Sequence, residues 1–375
     1  MSNPTPLQAT CLCRTSTIQI PTALPLTAHV CHCTTCRTSH GTLFAMHTDL
    51  QSLPFSESSP PSTFRTYQSS PNSGTAYFCS NCGTYMFASY FYMREGARHE
   101  GFCVSTGCVS LSDSYKSENP TVKLEDVLSI DFHCIIKDTI DGGASPWAGD
   151  WSKETQVQFH GNWEEPPMPS QEDAEELGRK HVYPTGRKEL DGWCRCKGVK
   201  VRITREDEAR KYKTGVCVCD SCRLATGTDV VPYTWVPRDH AFFVTKSSDG
   251  EGEELQEWPA VWDDATKAKF GNMIIYESTP GKVVWGACGT CGARVFYQKY
   301  GKTVKDGRDL VEPLTGLFGA DVTQGIMHLD FLDWVAPDGG VYSAEDAEKE
   351  GRAGIMTRNV NVMYQKWVKE MKSRA

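Results

Sequence analysis

The chain has 375 residues, which is long enough for two globular domains of ordinary size. Hydrophobic residues make up 39% of it and charged residues 23%, as is ordinary for a globular protein. Its formal net charge of −8 argues against nucleic acid or an anionic membrane as a main partner, because both attract basic surfaces. No apolar run approaches the roughly 20 residues of a membrane span, and residues 1–10 lack the apolar segment of a secretory signal. We therefore expect a cytoplasmic or nuclear protein that binds neither nucleic acid nor membranes.

Seventeen cysteines are the most informative feature of the sequence. In a reducing compartment they are not expected to form disulfides. Most of them fall in a pattern that occurs twice, namely C-x-C, then C-x-C-x-x-C-R-x-x-x-G, then C-x-x-C-G. The first copy contains Cys11, Cys13, Cys31, Cys33, Cys36, Cys79 and Cys82, and the second contains Cys194, Cys196, Cys217, Cys219, Cys222, Cys288 and Cys291. The remaining cysteines, Cys103, Cys108 and Cys134, are expected to be ordinary core thiols.

The repeat predicts two tandem domains over residues 1–155 and 183–375, joined by a linker over residues 156–182. In the first domain, alternation of Ile18 and Ile20 with polar residues indicates a short strand. The linker contains a Pro-rich segment, 164–170, and the acidic residues after it, 171–177, predict a short helix.

The second domain repeats the strand pattern, with Val199, Val201 and Ile203 alternating with Lys200 and Arg202. It also carries an insertion over residues 247–269, which is acidic and is expected to be a loop. At the end of the chain a helix is predicted with an apolar face used for packing, formed by Val360, Met363, Tyr364, Trp367, Val368 and Met371. The chain is therefore expected to be mainly β, with a C-terminal helix.

The spacing of the cysteines is typical of zinc ligands. In extended chain, C-x-C directs both sulfur atoms to one side, and in C-x-x-C-G the glycine permits the positive φ of the turn. These two outer blocks together would form a closed four-cysteine site, which is a structural arrangement. The middle block supplies three sulfurs and leaves one position open, as in catalytic zinc sites. We therefore expect about two zinc ions in each domain.

Spacing alone leaves alternatives open. The outer blocks could pair with the middle one instead of with each other. The middle trio could also be structural, with a fourth ligand such as His40 or Asp220. His32 lies between two ligands and should point away from their metal. A redox C-x-x-C pair is the other possibility, but no βαβ pattern accompanies it.

The motif order resembles that of the glutathione-dependent formaldehyde-activating enzyme family, which also contains centromere protein V. The family signature is C-x-C, C-H-C-x-x-C-R-x-x-x-G and F-C-x-x-C-G, and the first copy matches it through Cys31-His32-Cys33 and Phe78-Cys79. The second copy departs from it at Val218 and Ala287, and the first at Thr15, where a glycine is usual. None of these departures changes a ligand.

The resemblance implies a mostly β fold (the β-tent) related to that of a zinc-bound Rab exchange factor. It implies structural zinc sites at Cys11, Cys13, Cys79 and Cys82, and at Cys194, Cys196, Cys288 and Cys291. It also implies a second, catalytic zinc in each copy, held by Cys31, Cys33 and Cys36 and by Cys217, Cys219 and Cys222.

The activity that the resemblance implies is that of a carbon–sulfur lyase, which joins formaldehyde and glutathione to S-hydroxymethylglutathione or cleaves the adduct. The partners would then be a small thiol and an aldehyde, with Arg37 and Arg223 pairing with a glutathione carboxylate. The first copy is expected to be the more active, because it keeps His32 where the second has Val218. The alternative function is a non-enzymatic zinc scaffold or protein-interaction module.

Overall fold

The computed structural model describes residues 5–22, 25–94, 97–112, 117, 121, 128–148, 158–159, 171–247, 251–336 and 352–374. The fold is mainly β, as predicted. The Pro-rich segment 164–170 of the predicted linker lies outside the described residues. The domain boundaries at 155 and 183 stay predictions, because much of the chain between them lies outside the described residues too.

The described strands of the first half form a small antiparallel sheet and a larger mixed sheet. They are β1 (Thr5–Thr10), β2 (Thr17–Thr22), β3 (Leu26–Cys31), β4 (Ala45–Leu50), β5 (Phe64–Gln68), β6 (Thr75–Cys79), β7 (Tyr85–Arg94), β8 (Ala97–Ser105), β9 (Val109–Leu111), β10 (Leu128–Cys134) and β11 (Gln158–Phe159). They build a three-stranded sheet in the order β2-β1-β9 and an eight-stranded sheet in the order β11-β10-β3-β4-β8-β7-β6-β5.

The second half repeats this order of strands with small additions. Its described strands are β12 (Glu189–Trp193), β13 (Lys200–Thr204), β14 (Tyr212–Cys217), β15 (Val231–Thr234), β16 (Val236–Pro237), β17 (Ala241–Lys246), β18 (Glu253–Glu257), β19 (Met273–Thr279), β20 (Val283–Cys288), β21 (Arg294–Lys299), β22 (Leu310–Pro313) and β23 (Leu332–Trp334). The sheets have the orders β12-β13-β17-β18, β15-β14-β23 and β16-β22-β21-β20-β19.

Helices are short except at the end of the chain. The described α-helices are α1 (Thr34–His40), α2 (Gln171–Lys180), α3 (Asp220–Thr226), α4 (Asp264–Lys269) and α5 (Arg352–Arg374). Helix α2 confirms the short acidic helix predicted after the Pro-rich segment of the linker. The predicted C-terminal helix is also confirmed, since Val360, Tyr364, Trp367 and Val368 of α5 are buried.

The prediction that the acidic insertion 247–269 is a loop was wrong. Its residues form strand β18, which pairs with β17, and helix α4. Trp258 and Trp262, which lie between these two elements, are each 1% exposed, and their indole Nε1–H groups donate to Gln298 Oε1. The insertion is therefore anchored by two tryptophans, whose burial outweighs the acidic character of the segment.

The two halves meet through contacts that repeat with approximate two-fold symmetry. The Gly107 N–H donates to the Gly227 carbonyl at 3.0 Å, and the Gly316 N–H donates to the Gly41 carbonyl at 3.1 Å. The residues correspond between the copies, because 316 − 107 = 209 and 227 − 41 = 186 are the offsets of the third and second cysteine blocks. Each half thus uses one surface patch on the equivalent patch of the other, as in a self-complementary dimer interface.

A hydrophobic core runs across both halves. Trp147, from the segment that follows β10, is fully buried and packs edge-on against Trp334, Tyr364 and Trp367 of the second half. The same cluster of buried residues contains Val30 and Phe44 of the first half. Folding of the two copies is therefore expected to be coupled.

Candidate metal centres

The first four-cysteine group joins two turns of the first half. Cys11 and Cys13 lie in the turn between β1 and β2, and Cys79 and Cys82 lie where β6 turns into β7. The Sγ atoms of Cys11 and Cys13 are 3.4 Å apart, and those of Cys13 and Cys79 are 3.6 Å apart. Gly83 follows with φ 75°, and its N–H donates to the Cys79 carbonyl at 2.9 Å. The turn thus has the knuckle geometry that the motif predicts.

The second half contains the same construction. The Sγ atoms of Cys194 and Cys196, and those of Cys196 and Cys288, are 3.5 Å apart, and Cys291 completes the group. Gly292 has φ 73°, and its N–H donates to the Cys288 carbonyl at 2.9 Å. In each of the two groups all four sulfur atoms lie within 4.8 Å of one another. The structure therefore brings the outer blocks together with each other and not with the middle block.

The trio of the first half lies where β3 leads into α1. Cys31 ends the strand, Cys33 caps the helix, and Cys36 lies in its first turn. The Sγ atoms of Cys31 and Cys33 are 3.4 Å apart, and the Cys36 N–H donates to Cys33 Sγ at 3.4 Å. The strand end and the helix start thus place three sulfurs around one point.

The trio of the second half lies at the junction of β14 and α3. Cys217 ends the strand, Cys219 precedes the helix and Cys222 lies within it, with 3.3 Å between the Sγ atoms of the last two. Tyr233 adds a feature that the sequence reasoning missed, because its hydroxyl donates to Cys222 Sγ at 3.1 Å. The corresponding residue of the first half is His47, since 233 − 47 = 186, so a comparison of the two copies could have marked this position as divergent.

Contacts among the thiols spread their pKa values widely. A hydrogen bond from Cys217 is the largest cause that lowers the pKa of Cys219 to about 3, and the same contact raises the pKa of Cys217 to about 12. In the closed groups, a hydrogen bond from Cys11 lowers the pKa of Cys79 to about 6, and one from Cys194 lowers that of Cys288 to about 7. Neighbouring thiols cannot all ionise together without a cation to neutralise them.

The four groups fit zinc. All of their cysteines are free thiols. A tetrahedron with Zn–S near 2.3 Å requires sulfur atoms roughly 3.8 Å apart, and the distances of 3.3 to 3.6 Å between neighbouring sulfurs differ from this by only a few tenths of an ångström. Each of the four groups could therefore hold one metal ion, as the sequence predicts.

The two arginines after the trios are buried at the junction of the halves. Arg37 donates to the carbonyls of His32 and, at 3.0 Å, Gly319 of the other half. Arg223 donates to the carbonyl of Gly107 of the other half at 2.6 Å, and to Asp220 Oδ1 at 2.7 Å. These contacts position the trio helices. The predicted pairing of both arginines with a substrate carboxylate stays a prediction, and it would require them to release these carbonyls.

The suggested fourth ligands of the trios have other contacts. His40 Nδ1 is 2.7 Å from the Thr226 carbonyl oxygen, and its Nε2 is 3.2 Å from His47 Nε2. Asp220 is engaged by Arg223. His32 is fully buried, with Nε2 2.9 Å from His133 Nδ1, so it points away from the metal position as expected. Its imidazole therefore gives the first trio no polar group beside the metal.

The three cysteines outside the repeat differ from one another. Cys103 and Cys108 are buried in the core, as predicted, with exposures of 4% and 0%. Cys134 is also buried, but it pairs with Cys31 of the trio across the parallel strands β3 and β10. The expectation of an ordinary core thiol is therefore incomplete for Cys134. The cysteine repeat contains no residue equivalent to Cys134, so the sequence alone offers no reason to place it near the trio. Only the strand pairing shows its position.

The comparisons with known proteins agree with this geometry. A family model described as glutathione-dependent formaldehyde-activating enzyme matches residues 6–123 and 189–258. The matched segments contain the first two cysteine blocks of both copies and the third block of the first. No curated protein and no solved structure matches the chain. Among the described residues, each helix is too short or too polar to cross a membrane.

Proposed function

The chain belongs to the glutathione-dependent formaldehyde-activating enzyme family, and from this premise we propose that it is a zinc-dependent carbon–sulfur lyase that acts on a thiol–aldehyde adduct. On the basis of the family's description, we take the adduct to be S-hydroxymethylglutathione. The observation that carries the proposal is the trio geometry. Among the described residues, no fourth metal-ligating group lies within 4.8 Å of all three sulfurs in either trio. In the second trio, where the neighbouring group is the Tyr233 hydroxyl, a position for a substrate atom is therefore left open.

The reaction needs little from the protein besides charge and position. Cleavage breaks the C–S bond, the sulfur keeps the electron pair, and the adduct hydroxyl loses its proton to water as the carbonyl forms. Zinc bound by the trio would keep the released thiol ionised. Because three thiolates already leave the site with a net charge of about −1, zinc there is a weak Lewis acid and suits binding of the thiol better than activation of the aldehyde.

The second trio offers residues suited to this task. Tyr233 is buried, burial raises the pKa of its hydroxyl well above the usual range, and it donates to Cys222 Sγ. This bond withdraws charge from the thiolate and holds a proton next to the open position. Trp285 and Tyr297 pack on Tyr233 and fix the phenol ring. The second copy thus has its own polar group beside the metal, although Val218 replaces the signature histidine.

The test is exchange NMR of glutathione and formaldehyde with the full-length zinc-loaded chain. We expect exchange between free formaldehyde and the adduct above the uncatalysed rate. Cys219→Ser should remove most of this acceleration, and Cys103→Ser, at a buried thiol that belongs to none of the four metal groups, should leave it unchanged. If the wild type gives only the uncatalysed rate with several thiols and aldehydes, the enzyme is refuted and the zinc scaffold is the remaining function.

A further inference from the structure

The strand register places a fourth cysteine beside the first trio. Strands β3 and β10 run parallel, and Cys134 pairs with Cys31 at their ends. The His32 N–H donates to the Cys134 carbonyl at 3.0 Å, which fixes the pairing beside the trio. A register shift between Ile130 and Phe132 brings Cys134 into this position.

The side chains of the pair lie on one face of the sheet. Two residues earlier, His29 pairs with Phe132, and their rings are stacked with centroids 5.3 Å apart. Because side chains alternate along a strand, Cys31 and Cys134 face the same way as this stacked pair. Because the two residues are direct partners in the parallel ladder, their side chains lie next to each other. Cys134 is only 2% exposed, so solvent does not compete for it.

The second trio has no such neighbour among the described residues. Among those residues, strand β14 pairs with β23 over Tyr212–Thr214, and the described pairing does not reach Cys217. The group next to its sulfurs is the Tyr233 hydroxyl. A phenol that donates to a thiolate leaves the metal position open, whereas a thiol is itself a zinc ligand.

We propose that Cys134 is the fourth sulfur ligand of the metal held by Cys31, Cys33 and Cys36, and that the first trio is thereby a closed site. In the geometry described above, only the three trio sulfurs lie mutually within 4.8 Å, so Cys134 turns its Sγ toward Cys33 and Cys36 when the metal binds. The Cys134 thiol loses its proton to solvent as the metal–sulfur bond forms.

With this ligand set, the two halves contain different kinds of zinc site. The first half then holds two closed four-cysteine sites, and the second holds one closed site and one open trio. That the chemistry takes place at Cys217, Cys219 and Cys222 rests on the function proposed above. The ligand set of the first trio does not depend on that function.

The experiment replaces zinc with cadmium-113 in the full-length chain and records its NMR spectrum, because the cadmium chemical shift reports the number of thiolate ligands at each site. We expect three signals in the four-thiolate range and one in the three-thiolate range. Cys134→Ser should move one signal from the first range to the second. Cys103→Ser, the matched change at another buried cysteine of the same sheet, should move none.

Two signals in each range for the wild type would overturn the proposal, and this count decides even if Cys134→Ser does not fold. A spectrum that Cys134→Ser leaves unchanged would also overturn it. The two proposals fail separately. A three-to-one spectrum from a chain without lyase activity refutes only the function, and a two-to-two spectrum from an active chain refutes only the fourth ligand.

Discussion

Substitution of Gly107 by alanine tests whether the two halves depend on each other. A Cβ atom on Gly107 would lie 2.5 Å from the Gly227 carbonyl carbon and 2.5 Å from the Thr228 nitrogen, both backbone atoms of the other half. Ordinary contact begins near 3.4 Å, so the halves must move apart by about 0.9 Å (3.4 − 2.5). Overpacking of this kind costs roughly 1–3 kcal/mol.

The same movement weakens two hydrogen bonds. One is the bond from the Gly107 N–H to the Gly227 carbonyl, and the other is the bond from the buried Arg223 guanidinium to the Gly107 carbonyl. Each such bond is worth roughly 0.5–1.5 kcal/mol, or more where one partner is charged. We therefore expect Gly107→Ala to lower the free energy of unfolding by roughly 2–6 kcal/mol.

The measurement is urea unfolding of the zinc-loaded chain, followed by tryptophan fluorescence. Gly252→Ala is the matched control, because a Cβ there would meet its nearest neighbour, Ser247 Oγ, at an ordinary 3.5 Å. This control should change the stability by no more than about 0.5 kcal/mol. Equal stabilities of the two variants would refute the packing of the halves described above.

Three further predictions concern metal, charge and pH. Cys82→Ser and Cys291→Ser should each remove one zinc ion of an expected four and destabilise the chain, as measured by metal analysis and circular dichroism; wild-type melting would show that the ligands are wrongly assigned. Arg37→Met should lower thermal stability and leave the KM for glutathione unchanged in any surviving activity, if the guanidinium serves only contacts within the chain; a raised KM with wild-type stability would instead support binding of a substrate carboxylate. Burial lowers the pKa of His328 to about 4, below its unfolded value near 6.5, so this residue's contribution to stability is present above pH 6.5 and is lost as the pH falls toward 4. His328→Gln should therefore reduce the pH slope of the unfolding free energy in this window by up to about 1.4 kcal/mol per pH unit, measured against the wild type, and identical slopes would contradict the shift.

Local spacing predicted that the cysteines bind metal, but it did not decide how the blocks pair. A C-x-C turn and a C-x-x-C-G knuckle have few ways to direct their sulfurs, and the pairing of the two outer blocks with each other was implied by the family resemblance. The face of α5 followed from the 3.6-residue period. The insertion 247–269 was misread because its acidic residues outnumber the two tryptophans that anchor it. Trp258 and Trp262 were the available signal, since exposed loops seldom carry two such residues.

The contacts between the halves could not be predicted in the same way. They join glycines and backbone carbonyls, such as Gly316 and Gly41, whose side chains carry no chemical pattern. The contact of Cys134 with Cys31 depends on a parallel strand pairing with a register shift, across about a hundred residues of chain (134 − 31 = 103). Such a pairing has no sequence signature of its own, because parallel strands are joined by long connections.

The duplicated architecture explains how one half can change its site without loss of the fold. The trio helices are positioned from the opposite half through backbone groups, with Arg37 on the Gly319 carbonyl and Arg223 on the Gly107 carbonyl. Backbone contacts constrain the side chains around the metals very little. The position that carries a tyrosine hydroxyl on a trio sulfur in the second half can therefore carry His47 in the first, where Cys134 of the neighbouring strand pairs with Cys31. A zinc site closed by four sulfurs in the first half would then stabilise the shared fold, while the second half keeps a zinc site with an open position.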